Sequence, residues 1–143
     1  MKRARIEYGA LWAVGLLWVS HSLATQTTIN WQTLMQVSLS GKEVPTHVKN
    51  LNGQSVKMAG YMIPLEGNEN VVTEFLLVPS LPACIHVPPP PPNQTVHVKM
   101  AAKKGIPYSY MPIWVTGTFR IESSKSLYGD AFFALDGEKF ENF

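Results

Sequence analysis

The stretch SVKMAGYMI (residues 55–63) sets Val56, Met58 and Met62 against Lys57, Ala59 and Tyr61, with Gly60 inside the run. Alternation with a period of two is the pattern of a strand with unlike faces. A glycine within such a strand permits the sharp coiling that turns a short sheet back on itself. IWVTGTFRI (residues 113–121) has the same device, with Gly117 in mid-run. Between them stand VVTEFLLV (residues 71–78), rich in β-branched and aromatic residues, and TVHVKM (residues 95–100), which alternates again. GDAFFAL (residues 129–135) reads as a fifth strand. Five short strands, two of them with an internal glycine, predict an all-β fold, a small five-stranded OB-like barrel. An SH3-like barrel would produce the same periodicity.

Turn chemistry separates these runs. Leu51-Asn52-Gly53-Gln54 reads as a turn, because Asn-Gly supplies the positive backbone angles that a tight hairpin requires. Pro64 closes the first strand, and Pro79 and Pro82 close the second. Upstream, residues 25–50 form a polar, mixed lead-in. There Trp31, Leu34 and Met35 are spaced as one edge of a short helix, and Pro45 ends any regular element before it. The barrel domain is assigned to residues 51–143.

Residues 1–24 carry Lys2, Arg3 and Arg5, an apolar run over residues 10–19, and then Ser22-Leu23-Ala24. That order is a secretory signal peptide, with cleavage expected after Ala24 and a periplasmic destination. The run falls short of the roughly 20 apolar residues that a membrane-spanning helix needs. Once Lys2, Arg3, Arg5 and Glu7 are removed with it, nine basic and nine acidic residues remain in a 119-residue chain. One hydrophobic core fits that length. Balanced charge argues against a nucleic-acid partner, which calls for a basic surface.

ACIHVPPPPPNQ (residues 83–94) holds the sole cysteine, a histidine two positions later, and five consecutive prolines. In an exported chain a lone cysteine has no partner for an internal disulfide, so the thiol is a buried small hydrophobe, a metal ligand or a reactive group. Proline fixes φ and holds its predecessor extended, so residues 87–92 are expected to form a stiff polyproline II strap. Extended backbone would project Cys84 and His86 to one side, with Ile85 opposite. Thiolate plus imidazole suits zinc or copper(I). Zinc takes further donors, and Glu66, Glu74 and His97 are the candidates from elsewhere in the chain. A nucleophile and base pair is disfavoured. No third group orients His86, and no glycine-rich turn supplies oxyanion donors, so no enzymatic activity is expected.

GYMIPLE (residues 60–66), TEFLLVP (73–79), ACIHVPPPPPNQ (83–94), VTGTF (115–119) and YGDAFFAL (128–135) together resemble the domain-of-unknown-function 3299 family of small exported Gram-negative proteins. The resemblance singles out Glu66, Glu74, Cys84, His86, Asn93 and Gln94. It also implies a setting, because genes of this kind often neighbour those for an ABC-type transporter and a periplasmic metal-binding protein in zinc-responsive clusters. The expected function is therefore a periplasmic accessory protein that binds or passes on zinc or copper beside an ABC-type transporter component. The competing class is a metal-free interaction module of an envelope transport system. In that reading the strap with Tyr61, Tyr108, Tyr110 and Trp114 forms a docking surface.

Overall fold

The computed structural model describes residues 26–66, 70–81, 88–101 and 105–143. The signal-peptide assignment to residues 1–24 lies outside them. The elements in chain order are β1 (Thr27–Thr28), α1 (Trp31–Leu34), α2 (Thr46–Lys49), β2 (Ser55–Pro64), β3 (Glu74–Val78), a 3-10 turn (Pro92–Gln94), β4 (Val96–Met100), β5 (Ile113–Arg120), β6 (Ser124–Ser126), β7 (Gly129–Ala131) and β8 (Phe133–Asn142).

Strands β2, β3, β4, β8 and β5 hydrogen-bond in that order, and β5 pairs back onto β2 to close the barrel. All the barrel pairings are antiparallel except β4 with β8, where Val98 lies beside Leu135. In chain order the barrel strands therefore run first, second, third, fifth, fourth and back to first. This is the five-stranded Greek-key order of an OB-like barrel. The parallel contact between the third and fifth strands sets it apart from an antiparallel SH3-like meander.

Gly60 is where β2 changes partners. Residues 55–60 pair with β5, ending at Gly60 opposite Ile113, and Tyr61 opens the pairing with β3 opposite Val78. A Cβ at Gly60 would meet the Leu77 side chain and the Val78 carbonyl at 2.8 Å, and the Trp31 indole closes over it. Trp31 is fixed there by its Nε1, which donates to the Ala59 carbonyl at 2.8 Å. At Gly117 the β5–β8 register shifts by a bulge, and a Cβ would overlap the Asp136 carbonyl. Both glycines stand where backbone and neighbour leave room for a hydrogen only.

The inward faces supply Val56, Met58, Met62, Phe75, Leu77, Val98, Val115, Phe119, Phe133 and Leu135, all buried. Phe119 and Phe133 stack with centroids 5.5 Å apart. The lead-in belongs to the same core, since Ile29, Leu34, Val37 and Val48 join this cluster. Asn30 caps α1 through its side chain, which accepts from the Thr33 N–H at 3.0 Å. Of the expected helical edge, Leu34 is buried while Met35 is exposed.

Residues 51–54 form the expected turn, in which Gly53 and Gln54 exchange backbone hydrogen bonds with Phe119, so the chain is handed from α2 to β2. Pro45 has a further role. Its carbonyl accepts from Val48 and Lys49, which makes it the entry to α2. The strand expected over residues 71–78 starts at Glu74, with Val72 in a separate bridge to Ile106. Residues 129–135 are not one strand. Gly129–Ala131 pairs with Ser124–Ser126 in a small hairpin, and the barrel strand is Phe133–Asn142. The two sequence runs joined by Phe132 belong to different sheets.

Substitution of Gly117 by Ala is expected to lower the unfolding free energy by about 3 kcal/mol, because the bulge cannot open without breaking the β5–β8 ladder. Gly53→Ala, at φ +79° with nothing within 4 Å, is expected to cost only about 1 kcal/mol. Urea unfolding of the two variants compares them directly, and equal losses would refute the close-approach argument.

Candidate functional site

The proline segment lies at the barrel end where β3 finishes and β4 begins. Pro91 has φ −64° and ψ 155°, polyproline II geometry. Pro92 departs from the expected strap by opening the 3-10 turn, in which the Gln94 N–H donates to the Pro91 carbonyl at 2.8 Å. Thr95 is buried and its hydroxyl donates to the Pro91 carbonyl at 3.2 Å. From the far side, the Phe132 N–H donates to the Pro92 carbonyl at 3.1 Å. Prolines cannot donate backbone hydrogen bonds, so a strap of this kind is held through its carbonyls and its packing alone.

Asn93 ties this turn to the lead-in. The residue is 5% exposed. Nδ2 donates to the Val37 carbonyl at 2.9 Å and to the Met35 carbonyl at 3.3 Å, both in the stretch just after α1. Buried amide donors satisfied by two backbone carbonyls fix a local arrangement strongly, because losing the donor would strand both acceptors. Its Oδ1 is buried without a hydrogen-bond partner among the described residues. Asn93 thus joins a segment about 56 residues earlier to the turn that ends the strap.

Cys84 and His86 lie outside the described residues. Glu66, Glu74 and His97 are described, and each has a partner. Glu66 accepts from the Thr73 hydroxyl at 2.5 Å and from its N–H at 3.4 Å, closing the β2–β3 connection. Glu74 opens β3 on the same strand face as the buried Leu76 and Val78. Its carboxylate meets His97 Nε2 at 2.6 Å and Lys99 Nζ at 3.6 Å on β4. The cross-strand register, Glu74 opposite Lys99 and Leu76 opposite His97, creates that cluster. Beyond it, Arg120 holds Asp136 through Nε at 2.7 Å and Nη2 at 2.5 Å. A groove of about 170 Å³ runs between these pairs, past Glu122 and Ser124.

The two glutamates share one end of β3, whereas the connection bearing Cys84 and His86 leaves from the other, after Val78. Four residues of strand, about 13 Å at roughly 3.3 Å per residue, separate these ends. Among the described residues there is no group of three or more His, Cys, Asp or Glu side chains placed to hold a metal ion.

Three of the four aromatics expected around the strap have other partners, and the fourth, Tyr61, lies in β2 opposite Val78. Tyr108 and Tyr110 pack edge to face, 4.6 Å apart, in the β4–β5 connection. Trp114 stacks on Phe143 at 5.6 Å, with Lys57 over its ring. The strap instead meets the β6–β7 hairpin, which the sequence reading missed. The segment SKSLYGDA (residues 124–131) did contain the signal, two short polar arms about a turn that ends in glycine. A groove of about 250 Å³ lies alongside, lined by Pro79, Ser80, prolines 88–91 and Gln94.

Comparison with known proteins adds family and fold. Residues 19–142 match the model of the DUF3299 family, described as a protein of unknown function. A crystal structure of a DUF3299 family protein from Pseudomonas aeruginosa is 34% identical, with a TM-score of 0.65, and the match covers 82% of this chain and 96% of that one. No curated protein matches the chain.

Asn93→Ala is expected to cost about 1 to 3 kcal/mol, since the buried bond to the Val37 carbonyl and the part-buried one to the Met35 carbonyl are both lost. The same variant should expose the chain around Met35 and Val37 to limited proteolysis well before the barrel strands are cut. Cleavage no faster than in the parent protein would show that Asn93 does not hold the lead-in.

Proposed function

The chain belongs to the DUF3299 family, and from that premise, which carries no activity with it, we propose a periplasmic accessory protein that takes up and hands on a soft transition metal, zinc or copper(I), beside an ABC-type transporter. It performs no catalysis in this reading. Cys84 and His86 are the proposed donors. The reading rests on one observation: the prolines that follow His86 run into a turn anchored by Asn93, Thr95 and Phe132. A donor pair attached to an anchored segment loses less conformational freedom on binding than one in a free loop.

Glu66 and Glu74 enter this proposal differently from the sequence expectation. Their carboxylates serve Thr73, His97 and Lys99, so recruiting either to a metal would break an existing interaction. Cys84 and His86 alone leave coordination positions for a partner's ligand, which favours transfer over permanent structural binding. Thiolate and neutral imidazole are both needed, so affinity would fall as pH drops and these donors protonate.

A second reading, a metal-free interaction module, draws support from the exposed apolar surface beside the strap, where Leu81, Leu127 and Tyr128 face solvent.

Native mass spectrometry of the protein purified from expressing cells, titrated with zinc and separately with copper(I), tests the first reading. One retained ion per chain is expected, lost in Cys84→Ser and weakened at least about tenfold in His86→Ala. No retained ion at micromolar metal, or equal retention by Cys84→Ser, would overturn it in favour of the second.

A further inference from the structure

We infer that Asn52-Gly53 is a self-modification site, at which the asparagine side chain converts through a cyclic imide to aspartate and isoaspartate at a rate set by the end of β5. Asparagine followed by glycine offers this reaction the least steric resistance, because no Cβ stands beside the attacking backbone nitrogen. The chain contains this dipeptide once, in the turn between α2 and β2. Both residues are exposed. A Cβ built on Gly53 would find nothing within 4 Å, so the space beside the reacting atoms is open. Asn52 Nδ2, the nitrogen that must leave, makes no hydrogen bond among the described residues.

Hydrogen bonds to one strand end hold the reaction back. The Gly53 N–H donates to the Phe119 carbonyl at 2.8 Å, which occupies the nitrogen that must lose its proton and attack. Asn52 Oδ1 accepts from the Ile121 N–H at 2.9 Å, which fixes the side-chain carbonyl whose carbon is the target. A third bond, from the Phe119 N–H to the Gln54 carbonyl at 2.9 Å, completes the clasp. All three end on Phe119 or Ile121, so parting of β5 from this turn frees nucleophile and electrophile together.

The chain and water supply every atom of the step. The Gly53 nitrogen gives its proton to solvent and bonds to Asn52 Cγ. The Cγ–Nδ2 bond breaks, and Nδ2 takes up a proton and departs as ammonia. Water then opens the five-membered imide at either carbonyl, leaving aspartate or isoaspartate, the latter with an extra methylene in the main chain. The imide nitrogen carries no hydrogen, so the Phe119 carbonyl loses its donor as the ring forms. Clasp and ring therefore exclude each other. Either product brings a carboxylate to a groove already lined by Arg120 and Glu122, and isoaspartate lengthens the turn next to the Ser55–Thr118 pairing of β2 with β5. The modification involves neither Cys84 nor His86 and stands whether or not they take a metal.

Peptide mass mapping over time of the protein purified from expressing cells, in mildly alkaline buffer with and without unfolding guanidinium chloride, reads this directly. Asn52 should convert before any other asparagine in the unfolded chain, giving a mixture of aspartate and isoaspartate. Conversion in the folded protein should be at least about tenfold slower, and the ratio of the two rates should match the hydrogen-exchange protection of the Gly53 amide within about tenfold. Gly53→Ala should slow conversion in the denaturant at least about tenfold, a readout that does not require the variant to fold. Equal rates with and without denaturant, a folded-state rate unrelated to Gly53 protection, another asparagine reacting first, or indifference to Gly53→Ala would each overturn the proposal.

Discussion

Barrel closure depends on how near the backbone of β5 comes to that of β8 at Gly117. The register slips there by one residue of β8, since Thr116 pairs with Lys139 and Gly117 with Gly137, and the extra residue, Glu138, lets Phe140 and Leu135 both lie opposite the buried Val115 and Phe119. Without it, β8 could not lie antiparallel to β5 along its whole length while also running parallel to β4. That double pairing leaves β8 no free edge within the barrel and converts an open sheet into a closed one. Gly60 answers it on the neighbouring strand, where β2 leaves β5 for β3 under the Trp31 indole.

A closed five-strand barrel has two ends to cover, and here one is covered by material outside the barrel. The lead-in contributes Ile29, Leu34, Val37 and Val48 to the common core, and Gly41 lies against the Phe132 ring. Asn93 then joins it to the turn that terminates the proline strap. Lead-in, strap and β6–β7 hairpin are thus coupled through a few directional contacts. Anchorage of that sort reduces the reorganisation that any ligand or partner must offset.

The barrel was legible where period and punctuation agreed. Alternation in residues 55–63 and 113–121, with their internal glycines, marked two walls of the closure. It failed across residues 129–135, because an apolar run carries no sign of which sheet each half joins, and the break at Phe132 is set by a tertiary contact with Pro92. The candidate site was legible only in part. Glu74 stood out as an acid in an apolar run, yet its partners His97 and Lys99 follow from register, which one strand cannot specify. Asn93 was marked by resemblance alone. Its clamp on Val37 and Met35 spans more than fifty residues and leaves no local pattern.

That strap, turn and hairpin behave as part of the barrel rather than as a loose appendage is the claim on which the functional reading stands. Amide hydrogen exchange at Gln94 and Phe132, whose N–H groups bond to the Pro91 and Pro92 carbonyls, examines it most directly. Protection within about tenfold of the β4 amide of Val98 is predicted, since all would open only with the global transition. Exchange at Gln94 and Phe132 about a thousandfold or more faster than at Val98 would contradict it and leave the strap an independent, locally unfolding segment.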